Sequence, residues 1–300
     1  MKIYAAGSLN SRLAAVCLTA TLALLSASAV ASAEELYGTL KKINDSSTIA
    51  VGHRESSIPF SYYDESKRPV GYAIDLCKKI IEEVKKTLNK PDLEVKYILV
   101  SAKTRIPMVV DKSIDMECGS TTNTLAREQQ VDFSATYFTT GTRVLTRKSV
   151  GAKEIEDFQG KAVGLVGGST NERAVNALID AGKLKNVRIV VVKDYAEGMA
   201  ALEASGIDAF VTDDVVLYGL LSKSNIKNDL EVVGRSLTYD PYGVMFRRDD
   251  SAFRLVVNKA LADVFRSGEI EAIYAKWFDP IGVPLSPLMK AGFQLQAVPE

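Results

Sequence analysis

The chain has 300 residues, enough for one large or two medium domains, and 47% of them are apolar, enough for a substantial core. Its 37 basic and 37 acidic side chains cancel, and this balance excludes the basic surface of a nucleic-acid-binding protein. Because His53 is the only histidine, histidine-rich metal sites and Ser-His-Asp triads are almost excluded, and we expect no metal or cofactor. His53 itself is expected to be structural or to support a neighbouring side chain.

The first 33 residues have the pattern of a secretory signal peptide. Lys2 and Arg12 precede an apolar stretch at 13–25, and small residues follow at 31–33. The apolar stretch is too short for a membrane span, so we expect cleavage near Ala33 and export of a soluble protein to the periplasm. Removal of the two cations leaves 35 basic against 37 acidic side chains, a net charge of about −2.

From residue 47 onward, short β-rich runs alternate with amphipathic helical patterns. The clearest helix is 72–88, in which apolar residues recur every four positions. We predict strands at 47–53, 93–100, 114–118, 161–167, 187–192, 207–211 and 242–248. We predict helices at 72–88, 104–112, 170–181, 195–204, 214–223, 251–267 and 269–277. This alternation predicts an α/β fold with mainly parallel sheets flanked by helices.

Two of these strand–helix–strand units share a register. Ser120 lies five residues after Asp115, and Asp213 lies five residues after Asp208. The two polar side chains would then occupy equivalent strand ends in two similar α/β lobes. Ligands of such sheets bind at the carboxyl ends of the strands.

Residues 118–134, "CGSTTNTLAREQQVDFS", gather hydroxyl groups around Arg127. The hydroxyl groups belong to Ser120, Thr121, Thr122, Thr124 and Ser134. Two further arginines, Arg54 and Arg105, stand at the ends of other elements of the same predicted lobe. A guanidinium can form two parallel hydrogen bonds with a carboxylate, whereas a lone arginine is more often a solvated surface cation. Three arginines beside hydroxyl groups predict a site for a small anion.

The segment "GLVGGSTNER" (164–173) is rich in glycine and opens a predicted helix. It lacks the lysine of a phosphate loop and the spacing of a dinucleotide fingerprint, so it does not indicate a cofactor. Its Ser169 and Thr170 can offer backbone N–H groups and the helix dipole to an anion, or they can simply cap the helix. Both interpretations stay open, since one residue can do both.

Four motifs are more specific than the fold pattern: "GHRESSIPFSYYD", "RIPMVV", "ECGSTTNT" and the final "KWF". In these motifs the chain resembles the periplasmic amino-acid-binding proteins of ABC importers (solute-binding protein family 3), above all their glutamate/aspartate-binding members. The resemblance implies a two-lobed periplasmic binding protein fold of type II, with crossover hinge strands near 139–146 and 238–246. Lobe 1 would comprise 34–139 and 243–300, and lobe 2 would comprise 140–242. The lobes would close on one amino acid for delivery to a membrane permease.

The resemblance also implies roles for the residues that would bind the backbone groups of an amino acid. Arg127 would hold the α-carboxylate, assisted by Thr122 and Thr170. Ser120 and Asp213 would bind the ammonium group. The residues themselves agree with this, because a ligand with two anionic ends and one cationic end needs arginines at two places and a carboxylate at a third.

The side-chain carboxylate of the ligand would be bound, by the same resemblance, by Arg54, Ser101 and Arg105. Tyr195 departs from the family, which has a histidine there. A tyrosine can donate one hydrogen bond but does not become cationic near neutral pH. The preference for glutamate over glutamine should then be smaller than the arginines alone suggest. In the alternative interpretation, Tyr195 packs beside its own helix and does not touch the ligand.

Cys77 and Cys118 are the two cysteines outside the predicted signal peptide. They could pair in an oxidising compartment, or they could be two buried thiols on a helix and a strand. The sequence leaves both possibilities open.

We expect a monomeric binding protein without enzymatic activity, and three alternatives remain. The main one is a periplasmic enzyme on the same scaffold, such as a cyclic dicarboxylate dehydratase, which would need a cleft acid or base with a perturbed pKa. Asp213 and Glu117 are the candidates for that role. The others are a binding protein for a different polar amino acid and the ligand-sensing domain of a larger receptor.

Overall fold

The computed structural model describes residue 2 and residues 35–299. The predicted signal peptide, apart from Lys2, lies outside the described residues. Tyr37–Glu300 forms one unit by its internal contacts. Within the described part of the chain, no helix has both the length and the hydropathy that crossing a membrane requires.

Short strands and longer helices alternate along most of the chain. In chain order the strands are β1 (Thr48–His53), β2 (Ser56–Ser57), β3 (Ser61–Tyr63), β4 (Pro69–Val70), β5 (Glu94–Leu99), β6 (Met116–Cys118), β7 (Val131–Phe133), β8 (Phe138–Thr140), β9 (Thr142–Arg147), β10 (Ala162–Val166), β11 (Arg188–Val192), β12 (Ala209–Asp213), β13 (Leu230–Val233), β14 (Asp240–Tyr242) and β15 (Met245–Arg247). The α-helices are α1 (Gly38–Ser46), α2 (Tyr72–Leu88), α3 (Arg105–Val110), α4 (Leu125–Glu128), α5 (Thr170–Asp180), α6 (Tyr195–Glu203), α7 (Asp214–Lys223), α8 (Ser251–Arg266), α9 (Glu269–Phe278) and α10 (Pro287–Leu295).

Two five-stranded sheets form the centres of two lobes. The first sheet has the order β5-β1-β6-β15-β7, and the second has the order β11-β10-β12-β9-β13. We call the parts of the molecule built on them lobe 1 and lobe 2. Neither sheet is wholly parallel, because β15 runs antiparallel to β6 and β7, and β9 runs antiparallel to β12 and β13. Four strands of each sheet thus run in one direction, and the prediction of mainly parallel sheets is confirmed. The exceptions, β9 and β15, each enter their sheet from the other lobe and not through a crossover helix.

Two chain crossings connect the lobes. Strands β8 and β14 pair antiparallel, with Phe138 opposite Tyr242. The strand predicted at 242–248 is therefore divided, because Tyr242 belongs to β14 and 245–247 form β15 in lobe 1. The ring of Phe60 packs against both crossings, with its centroid 5.0 Å from that of Phe138 and 5.1 Å from that of Tyr242.

The register shared by the two lobes is confirmed by two equivalent aspartates. Asp115 accepts a hydrogen bond from the backbone N–H of Ala50 at 2.9 Å, and Asp208 accepts one from that of Ala162 at 2.7 Å. Each aspartate precedes one strand, and its carboxylate is hydrogen-bonded to the neighbouring strand: Asp115 links β6 to β1, and Asp208 links β12 to β10. The strand predicted at 207–211 begins two residues later, at 209. Asp208 precedes the strand and accepts the hydrogen bond from Ala162.

The helix predicted at 72–88 has the predicted bounds, and its apolar stripe is buried. Most other predicted elements are confirmed within about two residues at each end. The sequence did not indicate α1, α4, α10, β7, β13 or the small sheet of β2, β3 and β4. Strands of two or three residues are too short to show a period of two.

A disulfide joins Cys77 on α2 to Cys118 at the end of β6, with 6.3 Å between their Cα atoms. Both cysteines are buried. The bond decides the question that the sequence left open, and it fixes helix α2 to the strand that leads into the hydroxyl-rich segment.

Candidate functional site

Three arginines of lobe 1 are buried together at the carboxyl end of its sheet. Arg54 directly follows β1, Arg105 begins α3 and Arg127 lies in α4; their exposed fractions are only 2%, 3% and 4%. Burying a cation is costly unless anions or hydrogen-bond acceptors surround it. Burial accordingly lowers the pKa of Arg105, and it lowers that of Arg127 to about 9, with the nearby Arg105 and Arg173 adding to the effect.

The hydroxyl-rich segment positions two of these guanidinium groups. Arg105 donates from one terminal nitrogen to the Oγ1 of Thr121 at 2.5 Å, and Arg127 donates to the carbonyl oxygen of Thr122 at 2.6 Å. Thr121 in turn donates to the carboxylate of Glu117 at 2.6 Å. Glu117 is fully buried and keeps the pKa values of Arg105 and Arg127 from falling further.

Two hydrogen-bond donors of this cluster have no acceptor within the described residues. Besides the Oε1 of Glu117, two side-chain atoms of the described residues, the Nη1 of Arg54 and the Nε of Arg105, are buried without a hydrogen-bond partner. Buried charged donors normally have an acceptor, and leaving one unpaired costs about 1–3 kcal/mol or more. Both atoms are therefore available to an anionic ligand at the carboxyl end of the sheet.

Hydroxyl groups of the two lobes meet across the cleft. The Oγ of Ser120 lies 2.6 Å from that of Ser57 and 3.4 Å from the hydroxyl of Tyr195. The Oγ1 of Thr122 lies 3.4 Å from that of Thr170. The predicted residues Ser120, Thr122, Thr170 and Tyr195 are thus brought together.

Tyr195 faces lobe 1. It begins α6, which is capped by the side chain of Asp194 and not by the tyrosine. Its side chain is 3% exposed, and the guanidinium carbon of Arg54 lies 5.3 Å from the centre of its ring. Such a distance allows a cation–π interaction, which holds Arg54 against lobe 2.

Asp213 supplies the buried carboxylate of lobe 2. It ends β12, and its Oδ1 accepts a hydrogen bond of 2.7 Å from the side-chain amide of Asn171. The hydroxyl of Tyr242 donates to its other oxygen. Burial first, and then the charge of Asp240, raises the pKa of Asp213 to about 7. A cation beside Asp213 would restore its ionised form.

Ser101 and His53 lie at the edge of this arrangement. Ser101 bonds to Thr104 and, with Arg54 and residues of lobe 2, lines a cavity of about 220 Å³ at the mouth of the cleft. His53 is hydrogen-bonded through both ring nitrogens, donating from Nδ1 to the carbonyl of Arg54 and accepting at Nε2 from Tyr63. Burial lowers its pKa, as expected for a neutral structural histidine.

The glycine-rich segment caps a helix. Ser169 accepts a hydrogen bond from the N–H of Glu172 at 3.0 Å, so the capping interpretation is correct for this residue. Thr170 faces Thr122 in the cleft. The sequence did not predict Asn171 and Tyr242, which are hydrogen-bonded to Asp213. They lie 42 and 29 residues from Asp213 along the chain, so no local pattern indicates these contacts.

No group of three or more His, Cys, Asp or Glu side chains able to hold a metal ion occurs among residues 35–299. The described chemistry of the cleft consists of arginines, hydroxyl groups and two carboxylates, those of Glu117 in lobe 1 and Asp213 in lobe 2.

Comparison with known proteins identifies a family and similar relatives. The family model for bacterial extracellular solute-binding proteins, family 3, matches residues 49–280. An L-glutamate/L-aspartate-binding protein of Pseudomonas aeruginosa is 46% identical over 257 residues, which are 85% of this chain and 84% of that protein. A glutamate/aspartate import solute-binding protein of Escherichia coli is 41% identical over 288 residues, 92% of this chain and 95% of that protein. Among solved structures, an ancestral arginine-binding protein bound to glutamine is 31% identical with a TM-score of 0.69, covering 77% of this chain and 98% of that one.

Proposed function

Because the chain belongs to family 3 of the bacterial extracellular solute-binding proteins, we propose that it binds glutamate or aspartate and delivers it to the permease of an ABC importer. The observation that carries this proposal is the burial of Arg54, Arg105 and Arg127 together, opposite the carboxylate of Asp213 in lobe 2. The buried Glu117 offsets one of the three positive charges, so two cations and one anion remain for a ligand. A ligand with two carboxylates and one ammonium group complements that set of charges.

The backbone groups of the ligand are assigned to residues of both lobes. Arg127, Thr122 and Thr170 bind the α-carboxylate, and Ser120 and Asp213 bind the ammonium group. This assignment is supported by the meeting of Thr122 with Thr170 across the cleft, and by the raised pKa of Asp213, which an ammonium group would lower.

The side-chain carboxylate of the ligand is assigned to Arg54, Ser101 and Arg105, with the hydroxyl of Tyr195 as an additional donor. The support comes from the unpartnered Nη1 of Arg54 and Nε of Arg105. Each charge-assisted hydrogen bond contributes roughly 1.5–3 kcal/mol, so a few of them give micromolar or tighter binding after the entropy of association is offset.

Closure of the lobes on the ligand is the proposed mechanism. Lobe 1 would comprise 34–139 and 243–300 and lobe 2 140–242, and the protein would act as a monomer after cleavage near Ala33. The pairing of β8 with β14 at the two crossings supports a hinge there. Because closure desolvates the arginines and Asp213, the charges of the ligand decide whether closing is favourable.

The enzyme alternative is not favoured. Asp213 has a perturbed pKa, yet both of its oxygens already accept hydrogen bonds from Asn171 and Tyr242. Three relatives at least 41% identical to this chain are named as binding proteins.

Isothermal titration calorimetry of ligand-stripped protein with glutamate, aspartate, glutamine, asparagine and arginine tests the proposal. We expect the two acidic amino acids to bind with micromolar or lower Kd, more tightly than the other three. Tighter binding of arginine or of an amide than of both acidic amino acids would overturn it.

A further inference from the structure

A turn of lobe 1 projects against two helices of lobe 2. This turn, residues 55–60, which we call the docking turn, contains β2 and leads into β3. The backbone N–H of Ala196, in the first turn of α6, donates to the Oγ of Ser56 at 3.2 Å. The carbonyl group of Ile58 lies against α7 at Gly219.

The contact at Gly219 leaves no space for a side chain. A Cβ atom added there would lie 2.4 Å from the carbonyl oxygen and 2.8 Å from the carbonyl carbon of Ile58, whereas ordinary contacts begin at 3.4 Å. Gly219 is buried in a helix and has no positive φ, so its own backbone does not require glycine. The requirement comes from the other lobe.

The docking turn cannot easily move away from such a side chain, because its backbone is bonded on both sides of Ile58. The N–H of Ile58 donates to the carbonyl of Ser56 at 3.0 Å, and the carbonyl of Pro59 accepts from Tyr72 at 2.9 Å. The next residue, Phe60, is fully buried among the aromatic rings at the lobe crossings. Relief of a collision would therefore come from separation of the lobes by about 1 Å.

We infer that Gly219 is a positioning residue for closure: the absence of its side chain lets the docking turn seat on α7 when the lobes close on a ligand. Gly219 is not among the residues assigned to the ligand, so its effect would not depend on which amino acid is bound. The inference rests on the proposed function, because it concerns closure on a ligand.

The test compares Gly219→Ala with Gly292→Ala. Both replace a glycine within a helix by alanine, a better helix former, but a Cβ at Gly292 has no neighbour within 4 Å. Kd values for glutamate and aspartate, the small-angle scattering of the ligand-saturated protein and the Tm of the ligand-free protein are measured for wild type and both variants.

For Gly219→Ala we expect roughly tenfold or greater weakening of both ligands by a similar factor, and a larger radius of gyration at saturating ligand. The Tm of the ligand-free variant should be unchanged or higher, since α7 alone tolerates alanine. Gly292→Ala should match wild type in both binding and scattering.

Wild-type affinity and scattering for Gly219→Ala would overturn the inference. A lower ligand-free Tm would also overturn it, because Gly219 would then be needed for packing within lobe 2. Failure of wild type itself to bind either acidic amino acid would instead refute the proposed function, so the two failures are distinguished.

Discussion

Replacing Arg127 by methionine should abolish ligand binding and at the same time favour closure of the ligand-free protein. Burial lowers the pKa of Arg127 to about 9. At about 1.4 kcal/mol per pKa unit, the charged form carries a cost of about 5 kcal/mol relative to a solvated arginine. The pKa of this base is depressed, so the cost is complete below pH 9 and decreases as the pH rises above it.

The variant would also lose a hydrogen bond, but this bond lies within lobe 1 and is therefore the same whether the lobes are open or closed. Arg127 donates to the carbonyl of Thr122 at 2.6 Å, a charge-assisted bond of roughly 1.5–3 kcal/mol. The variant should favour the closed ligand-free protein by the part of this cost that arises when lobe 2 covers the guanidinium, at most about 5 kcal/mol. A gain of about 2 kcal/mol would already shift the ratio of closed to open molecules roughly 30-fold.

Small-angle scattering of the ligand-free protein and calorimetry with glutamate, aspartate and glutamine measure the two effects. The exposed Arg173, whose charge also lowers the pKa of Arg127, provides the control variant Arg173→Met, which should bind nearly as wild type does. If Arg127→Met lost glutamate but kept another amino acid, the α-carboxylate would be bound elsewhere. If its ligand-free scattering equalled that of wild type, the charge of Arg127 would not be what opposes closure.

Three further changes probe the distal end of the ligand and the scaffold. Arg54→Ala and Arg105→Ala should each weaken glutamate by roughly 2 kcal/mol or more, and glutamine by less, in calorimetric titrations; equal losses for the two ligands would contradict their assignment. Tyr195→His should widen the preference for glutamate more at pH 6 than at pH 8, because a histidine with its usual pKa of about 6.5 becomes cationic; an unchanged ratio at both values would make Tyr195 part of the scaffold. Replacing Cys77 and Cys118 by alanine should lower the free energy of unfolding by about 4 kcal/mol, from closure of a loop that spans 41 residues. Denaturant titration measures that loss, and a decrease below about 1 kcal/mol would show that the bond contributes little.

Local periodicity predicted seven of the ten α-helices and seven of the fifteen strands of the described residues, but not the direction of every strand. Helix α2 shows an apolar residue on each turn, and burial of that stripe fixes its bounds. The antiparallel placement of β9 and β15 depends on which lobe the chain comes from, and no local pattern records that. The short strands β2, β3 and β4 are defined by their pairing with one another and not by a pattern in their own sequence.

The candidate site, like the fold, was predicted from the sequence only in part. Arg127 and Thr122 lie in one hydroxyl-rich segment, so their proximity follows from the sequence itself. The link from Arg105 through Thr121 to Glu117 was only partly visible, because the sequence showed the three side chains but not their order of hydrogen bonding. The support of Asp213 by Tyr242 depends on a chain crossing that brings β14 beside the end of β12.

Selection of an acidic amino acid by this cleft would depend on which buried charged groups the ligand leaves without a partner, as much as on the size and shape of the ligand. If the lobes closed on a ligand with one carboxylate, the buried donors of Arg54 and Arg105 would be left without an anion. This would cost about 1–3 kcal/mol or more. A cationic side chain would add a further positive charge beside them, which low dielectric makes more costly. Asp213 favours ligands that carry an ammonium group, because a cation beside it would lower its pKa from about 7 and stabilise its ionised form. One cation and two anions together satisfy all of these groups, which leaves the length of the side chain, and not its charge, to distinguish glutamate from aspartate.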